Sequence, residues 1–166
     1  MNFGIMQGRL TKAPLDRDLD WFPDHNWSEE FSLAHSIGFD HIELIIDRYK
    51  SKYNPILADD GKKKIKELSL KYSVNINHVC INSIIEETIL SDMTLCDIKK
   101  RLIDISELNI KNLILPLFGK SEINKYNYQP ICNQILKIYF LAKDKNIKIL
   151  LESDLPIQEQ IKLLNK

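Results

Sequence analysis

Five short apolar runs, each rich in β-formers with isoleucine dominant among them, recur along the chain at residues 3–7, 41–47, 74–81, 112–117 and 147–152. A run of this length, bounded by polar turns, reads as a strand buried on both faces. The segments between the runs have helical spacing instead. Residues 28–37 place Phe31, Ala34 and His35 on one face and stop at Gly38, a C′ glycine, while Asn26 followed by Glu29 resembles a capping box. Residues 59–72 set Ile65, Leu68 and Tyr72 on one side and Lys62, Lys63, Lys64, Lys66 and Lys71 on the other, which reads as a solvated helix face rather than a phosphate patch. A third helix over 92–108 repeats Leu95, Ile98, Leu102 and Ile105, and a fourth over 130–145 repeats Ile131, Ile135, Ile138 and Leu141 or Ala142. A fifth starts near Pro156, since proline suits a first helical turn.

Five successive β-α units predict an α/β fold with a parallel sheet and right-handed crossovers. Two architectures satisfy that order. One is a doubly wound, flavodoxin-like five-stranded sheet. The other is a (β/α)8 barrel, of which five units are present. No Pro/Gly/Ser-rich linker interrupts the chain, so residues 1–166 are read as one domain.

Composition narrows the partners. Twenty-three Lys plus Arg balance 23 Asp plus Glu, so no net field attracts nucleic acid or an anionic membrane. No stretch approaches the ~20 apolar residues of a membrane span, and the first 18 residues lack the apolar centre of a secretory signal. Cys80, Cys96 and Cys132 are odd in number and far apart, which suggests reduced thiols rather than a disulfide framework or a zinc site. A cytoplasmic protein is expected.

Polar residues on otherwise apolar strands are the informative exceptions. In the second run, alternation puts Glu43 and Asp47 on one face with Ile45, opposite the aliphatic Ile42, Leu44 and Ile46. A carboxylate on a sheet face is expensive unless water, a metal or a ligand satisfies it. Glu152 ends the fifth run with Asp154 two residues on, a pattern that can offer oxygen ligands to a divalent cation. His78 lies mid-strand, where it serves as core residue, ligand or acid/base, and Asn82 sits at the strand end, better placed to touch a polar ligand. Gly8 after the first run allows a tight turn or close ligand approach, and Arg9 could hold a phosphate or carboxylate. The chain contains no dinucleotide fingerprint, phosphate-binding P-loop or G-x-S-x-G elbow.

Taken in order, Gly4 to Leu10, Phe22-Pro23, Trp27 to Phe31, Ile37 to Glu43, Asn54-Pro55, Gly61, Val79-Cys80, Leu113 to Leu117 and Leu150 to Leu155 resemble the sugar-phosphate isomerase/epimerase proteins. The resemblance implies a parallel (β/α) barrel of the xylose isomerase-like TIM type, truncated to about five β-α units. It implies an active site at the C-terminal strand ends, a divalent metal, and a small sugar or sugar-phosphate substrate that exchanges a proton next to its carbonyl. On that resemblance Glu152 is the metal ligand and Glu43 a substrate or supporting contact; the completed site would use Glu152 catalytically, with Arg9, Asn82 and His78 also contacting substrate. The family's remaining ligands lie on strands six to eight, and no carboxylate follows Val79-Cys80 until Glu86. The 166-residue chain is therefore expected to be weakly active or inactive alone. A non-catalytic half-barrel that associates with itself or a partner through its open edges is the alternative.

Overall fold

The isoleucine-rich runs pair as predicted. A computed structural model describes residues 3–13, 15 and 20–164. Parts of the opening segment read for a targeting signal (Met1, Asn2, Pro14 and residues 16–18) lie outside the described residues. Strands β1 (Gly4–Met6), β2 (His41–Ile46), β3 (Asn75–Ile81), β4 (Asn112–Pro116) and β5 (Lys148–Glu152) form one all-parallel sheet in the order β1-β2-β3-β4-β5. Unbroken sequential order is that of a barrel wall; the doubly wound alternative would reverse direction at a switch point.

Helices α1 (Glu29–Ile37), α2 (Asp59–Tyr72), α4 (Asp92–Glu107), α5 (Tyr128–Lys143) and α6 (Ile157–Leu164) each follow a strand, with a short α3 (Ser83–Glu86) inserted after β3. The helix-covered face of the sheet is aliphatic. Leu44, Val79, Ile81, Leu113 and Leu115 are fully buried there, against Phe31, Ile65, Ile98, Leu102, Ile105, Ile131 and Ile138 from the helices. No described helix is long and apolar enough to cross a membrane.

The other face of the sheet carries the polar residues, in rows on either side of an apolar one. Register pairs Gly4 with His41, and Met6 with Glu43, then Glu43 with His78, His78 with Asn112 and Asn112 with Lys148. Ile45, Cys80, Ile114 and Leu150 form the next row, and Glu152 pairs with Pro116 above it. This arrangement depends on a bulge in β3. From His41 to Glu43 the β2 chain advances two residues, while its partner advances three, from Asn75 to His78. The extra residue puts Ile76 against the core while keeping His78 and Cys80 on the polar face.

Three local expectations need correction. The Asn26–Glu29 capping box does not form. Asn26 and Trp27 donate to the Pro23 carbonyl in a turn, and α1 begins after Ser28, whose side chain makes no capping bond. Trp27 instead packs edge-on against Phe31, with ring centres 6.4 Å apart, and fixes the helix entry. His35 is exposed, because the buried stripe of α1 runs through Glu30, Phe31 and Ala34. Lys62 is not on a solvated face. It is buried, and its Nζ contacts Asp59 at 3.1 Å, Asp104 at 3.2 Å and Glu107, tying α2 to α4. These carboxylates raise its pKa, which Glu107 does most. Lys63 and Lys64 remain exposed as read. Gly38 does end α1 in the left-handed conformation, its N–H donating to the Ala34 and His35 carbonyls.

Candidate active site

The loop after β1 is fixed from below by a buried acid. Glu30, only 1% exposed, accepts the Gly8 N–H on both carboxylate oxygens at 2.9 Å, the Leu10 N–H at 3.2 Å and the Thr11 hydroxyl at 3.2 Å. Burial raises its pKa and the hydrogen bonds partly offset that. Gly8 has φ +89° and a Cβ there would lie 2.5 Å from the Trp21 carbonyl oxygen, so the turn requires glycine. The adjacent Gln7 is buried, with its Oε1 accepting the Ile45 N–H at 3.3 Å. Together these contacts fix the segment that carries Arg9, whose Nη2 meets Met6 Sδ at 3.6 Å and Asp20 Oδ1 at 3.1 Å.

Two carboxylates from opposite sides of the sheet share that face. Glu43 of β2 has its pKa raised to about 7, first by burial and then by the charge of Glu152 on β5. Glu152 is raised by burial and by the charge of Asp20, from the β1–α1 loop. The Cys80 thiol between the strands is pushed well up by burial and by Glu43, Glu152 and Asp20 in turn. It is an inert donor, giving its S–H to Asn82 Oδ1 at 2.8 Å. Asn82 is itself buried, at the start of α3. His78 is half-buried one register row below Cys80, its ring centre 5.6 Å from that of His41. Burial and then His41 lower its pKa, and its buried Nδ1 has no hydrogen-bond partner among the described residues.

The structure thus brings Glu43, Glu152, His78 and Asn82 to one face and places Arg9 at its rim. Asp154 is exposed, and Asp47 is buried beyond β2, where it accepts the Ser51 N–H at 3.1 Å. Sequence reasoning missed Asp20 and Arg48. Asp20 Oδ1 takes Arg9 Nη2 at 3.1 Å and Oδ2 takes Arg48 Nη2 at 3.4 Å, and Arg48 Nη1 also meets Glu86 at 3.5 Å. Arg48 follows β2 much as Arg9 follows β1, so the search for polar residues at strand ends could have found it. Among the described residues no group of three or more His, Cys, Asp and Glu could hold a metal ion. The paired acids have the right sign for a divalent cation but fall short of a metal centre by themselves. A separate cavity of about 540 Å³ beside the β1 and β2 loops is lined by Trp21, Phe22, Asp24, His25, Asp47 and Tyr49 among others, and none of the residues on the polar face borders it.

No protein-family profile matches the sequence, and no curated protein is detectably similar to it. The fold has close counterparts among solved structures. A xylose isomerase-like TIM barrel protein from Mycobacterium smegmatis in complex with magnesium superposes with a TM-score of 0.71 at 14% identity, over 99% of this chain and 60% of that one. The D-psicose 3-epimerase of Clostridium cellulolyticum H10, solved with D-tagatose, gives 0.72 at 13% identity over 99% and 59%. The 3-keto-D-glucoside 4-epimerase of E. coli gives 0.59 at 16% identity over 91% and 55%. The chain spans about three fifths of the length of the first two. At these identities the likeness is one of architecture, and in architecture the chain is five β-α units of the xylose isomerase-like TIM barrel.

Proposed function

We propose that the polar face is the β1–β5 part of a sugar isomerase or epimerase site, acting by proton transfer next to a carbonyl. The observation that carries this reading is Glu43 on the face it shares with Glu152, a half-buried carboxylate that burial first, and then the charge of the exposed Glu152, hold near pKa 7. A carboxylate balanced at neutral pH can both remove a proton from the carbon beside a carbonyl and return it. Glu43 and Glu152 exchange that proton with the substrate, Arg9 and Asn82 orient hydroxyl or anionic groups, and His78 supports the floor of the site. A bound divalent ion would polarise the carbonyl. Glu152 would be the ligand to it from β5, and the described residues of these five units alone would not complete its coordination. The substrate is a small sugar or sugar phosphate, in keeping with the sugar epimerases that share the fold.

The test is a Mn²⁺ titration read by water-proton relaxation. With so few ligands, binding to this chain should be weak, on the order of 1 mM, and Glu152→Ala should abolish it. Mn²⁺ binding that survives Glu152→Ala overturns the assignment of Glu152. Tight stoichiometric binding abolished by the same variant would instead show that these five units already suffice for a metal site.

A second reading concerns association. Among the described strands β1 and β5 have only one neighbour each, and Leu150 on β5 with Ile157 and Ile161 on α6 remain exposed. Unpaired parallel edges beside exposed apolar side chains favour pairing with a second copy. Sedimentation should then show a dimer that the double variant Leu150→Lys, Ile161→Lys converts to monomer. A wild-type monomer at tens of micromolar counts against it.

A further inference from the structure

The rim of the site contains an ion cluster that joins Arg9 to two residues the proton-transfer chemistry does not use, Asp20 and Arg48. Arg9 follows β1 and Arg48 follows β2, yet both guanidinium groups converge on a single carboxylate, Asp20, one on each oxygen, at 3.1 and 3.4 Å. All three side chains are about a quarter exposed, so they sit at the boundary between the site and water. The cluster is not saturated. Arg48 Nε is buried and has no hydrogen-bond partner among the described residues. Its Nη1 contact to Glu86 is 3.5 Å, to a half-exposed carboxylate.

Two guanidinium groups from separate loops, each giving one Nη2 to a different oxygen of the same carboxylate, are the kind of donors by which proteins hold phosphate or carboxylate groups. We propose that Asp20 occupies the position of a substrate oxyanion, and that the site selects an anionic sugar, one carrying a phosphate or carboxylate, over a neutral one. This rests on reading the polar face as a carbohydrate site and goes beyond it by naming the charge of the substrate. On binding, the substrate oxyanion takes Arg9 and Arg48 from Asp20, and the carbon skeleton extends over the sheet towards Glu43 and Glu152. Exchange of one oxyanion for another keeps both partly exposed guanidinium groups paired throughout. A neutral ketose offers nothing to make that exchange. The arginines then stay on Asp20.

The test is a titration of the ¹⁵N-labelled chain, following the arginine Nε–Hε signals, with fructose 6-phosphate, gluconate and fructose as probes. Fructose 6-phosphate or gluconate should shift the Arg9 and Arg48 signals saturably, and whichever binds tighter identifies the anionic group as phosphate or carboxylate. Fructose should leave both signals in place. Arg48→Gln should weaken the anion response at least fivefold. Asp20→Asn removes the internal competitor and should tighten it at least threefold, a gain that simple destabilisation does not produce. Equal response to fructose, or no tightening in Asp20→Asn, overturns the proposal, and Asp20→Asn decides the matter even where Arg48→Gln fails to fold. Failure of the isomerase reading would appear separately, as Glu152-independent Mn²⁺ binding with the arginine titration intact.

Discussion

Glu30→Ala should cost the protein about 3–5 kcal/mol of stability, a large part of what a domain of this size has. In the wild type one buried carboxylate satisfies the Gly8 and Leu10 N–H groups and the Thr11 hydroxyl. Removing it leaves the buried Gly8 N–H without a partner, at about 1–3 kcal/mol, strips the half-buried Leu10 N–H and Thr11 hydroxyl of their acceptor, and opens a void beneath the loop after β1. Urea denaturation should show the midpoint falling with the slope unchanged. Glu30→Gln is the informative companion. It keeps one acceptor oxygen and removes the burial of a charge, so it should lose less than half as much. A loss below about 1 kcal/mol in Glu30→Ala would show that the loop finds other acceptors. The same variant should loosen Arg9, because the segment held by Glu30 is the one that carries it.

Stability should also fall as pH rises through neutrality. The folded-state pKa of Glu43 is raised from 4.5 to about 7, so the folded protein binds more protons than the unfolded chain between those values. The contribution is therefore fully present below about pH 4.5 and lost as pH climbs through 7. Glu30 and Glu152 are raised too and act in the same direction. Because Glu43 borders water, the full linkage value is discounted, leaving about 1–2 kcal/mol lost between pH 5 and pH 8. Denaturation at several pH values measures it. Glu43→Gln should flatten the profile and make the protein more stable than wild type at pH 8. A flat wild-type profile would mean that Glu43 is better hydrated than its surroundings indicate.

The strands and helices were legible because their signals are local. Isoleucine runs marked all five strands, and the apolar spacing of Ile98, Leu102 and Ile105 marked a helix face that is wholly buried. Glu43 and Glu152 were legible as exceptions within apolar strands. What escaped depends on contacts far apart in sequence. Glu30 beside Phe31 and Ala34 looks like an ordinary surface acid until the loop after β1 is placed on top of it. Lys62 looks like its lysine neighbours until α4 brings Asp104 and Glu107 to it. Asp20 lies in a loop with no periodicity, and only folding brings Arg9 and Arg48 to its two oxygens. Alternation within β3 misleads for a related reason, since the bulge shifts its phase.

That bulge matters for anyone recombining barrels of this architecture. The two halves of β3 are read in different frames. Counted straight back from Cys80 and His78, Ile76 would face the carboxylates and Asn75 the helices, the reverse of what the register gives. A crossover point in the α2–β3 connection would import a partner's frame for the whole strand. One placed after Val79 would keep this chain's frame. Fragments exchanged at those two points would differ by a strand side, even though the sequences could be aligned without a gap.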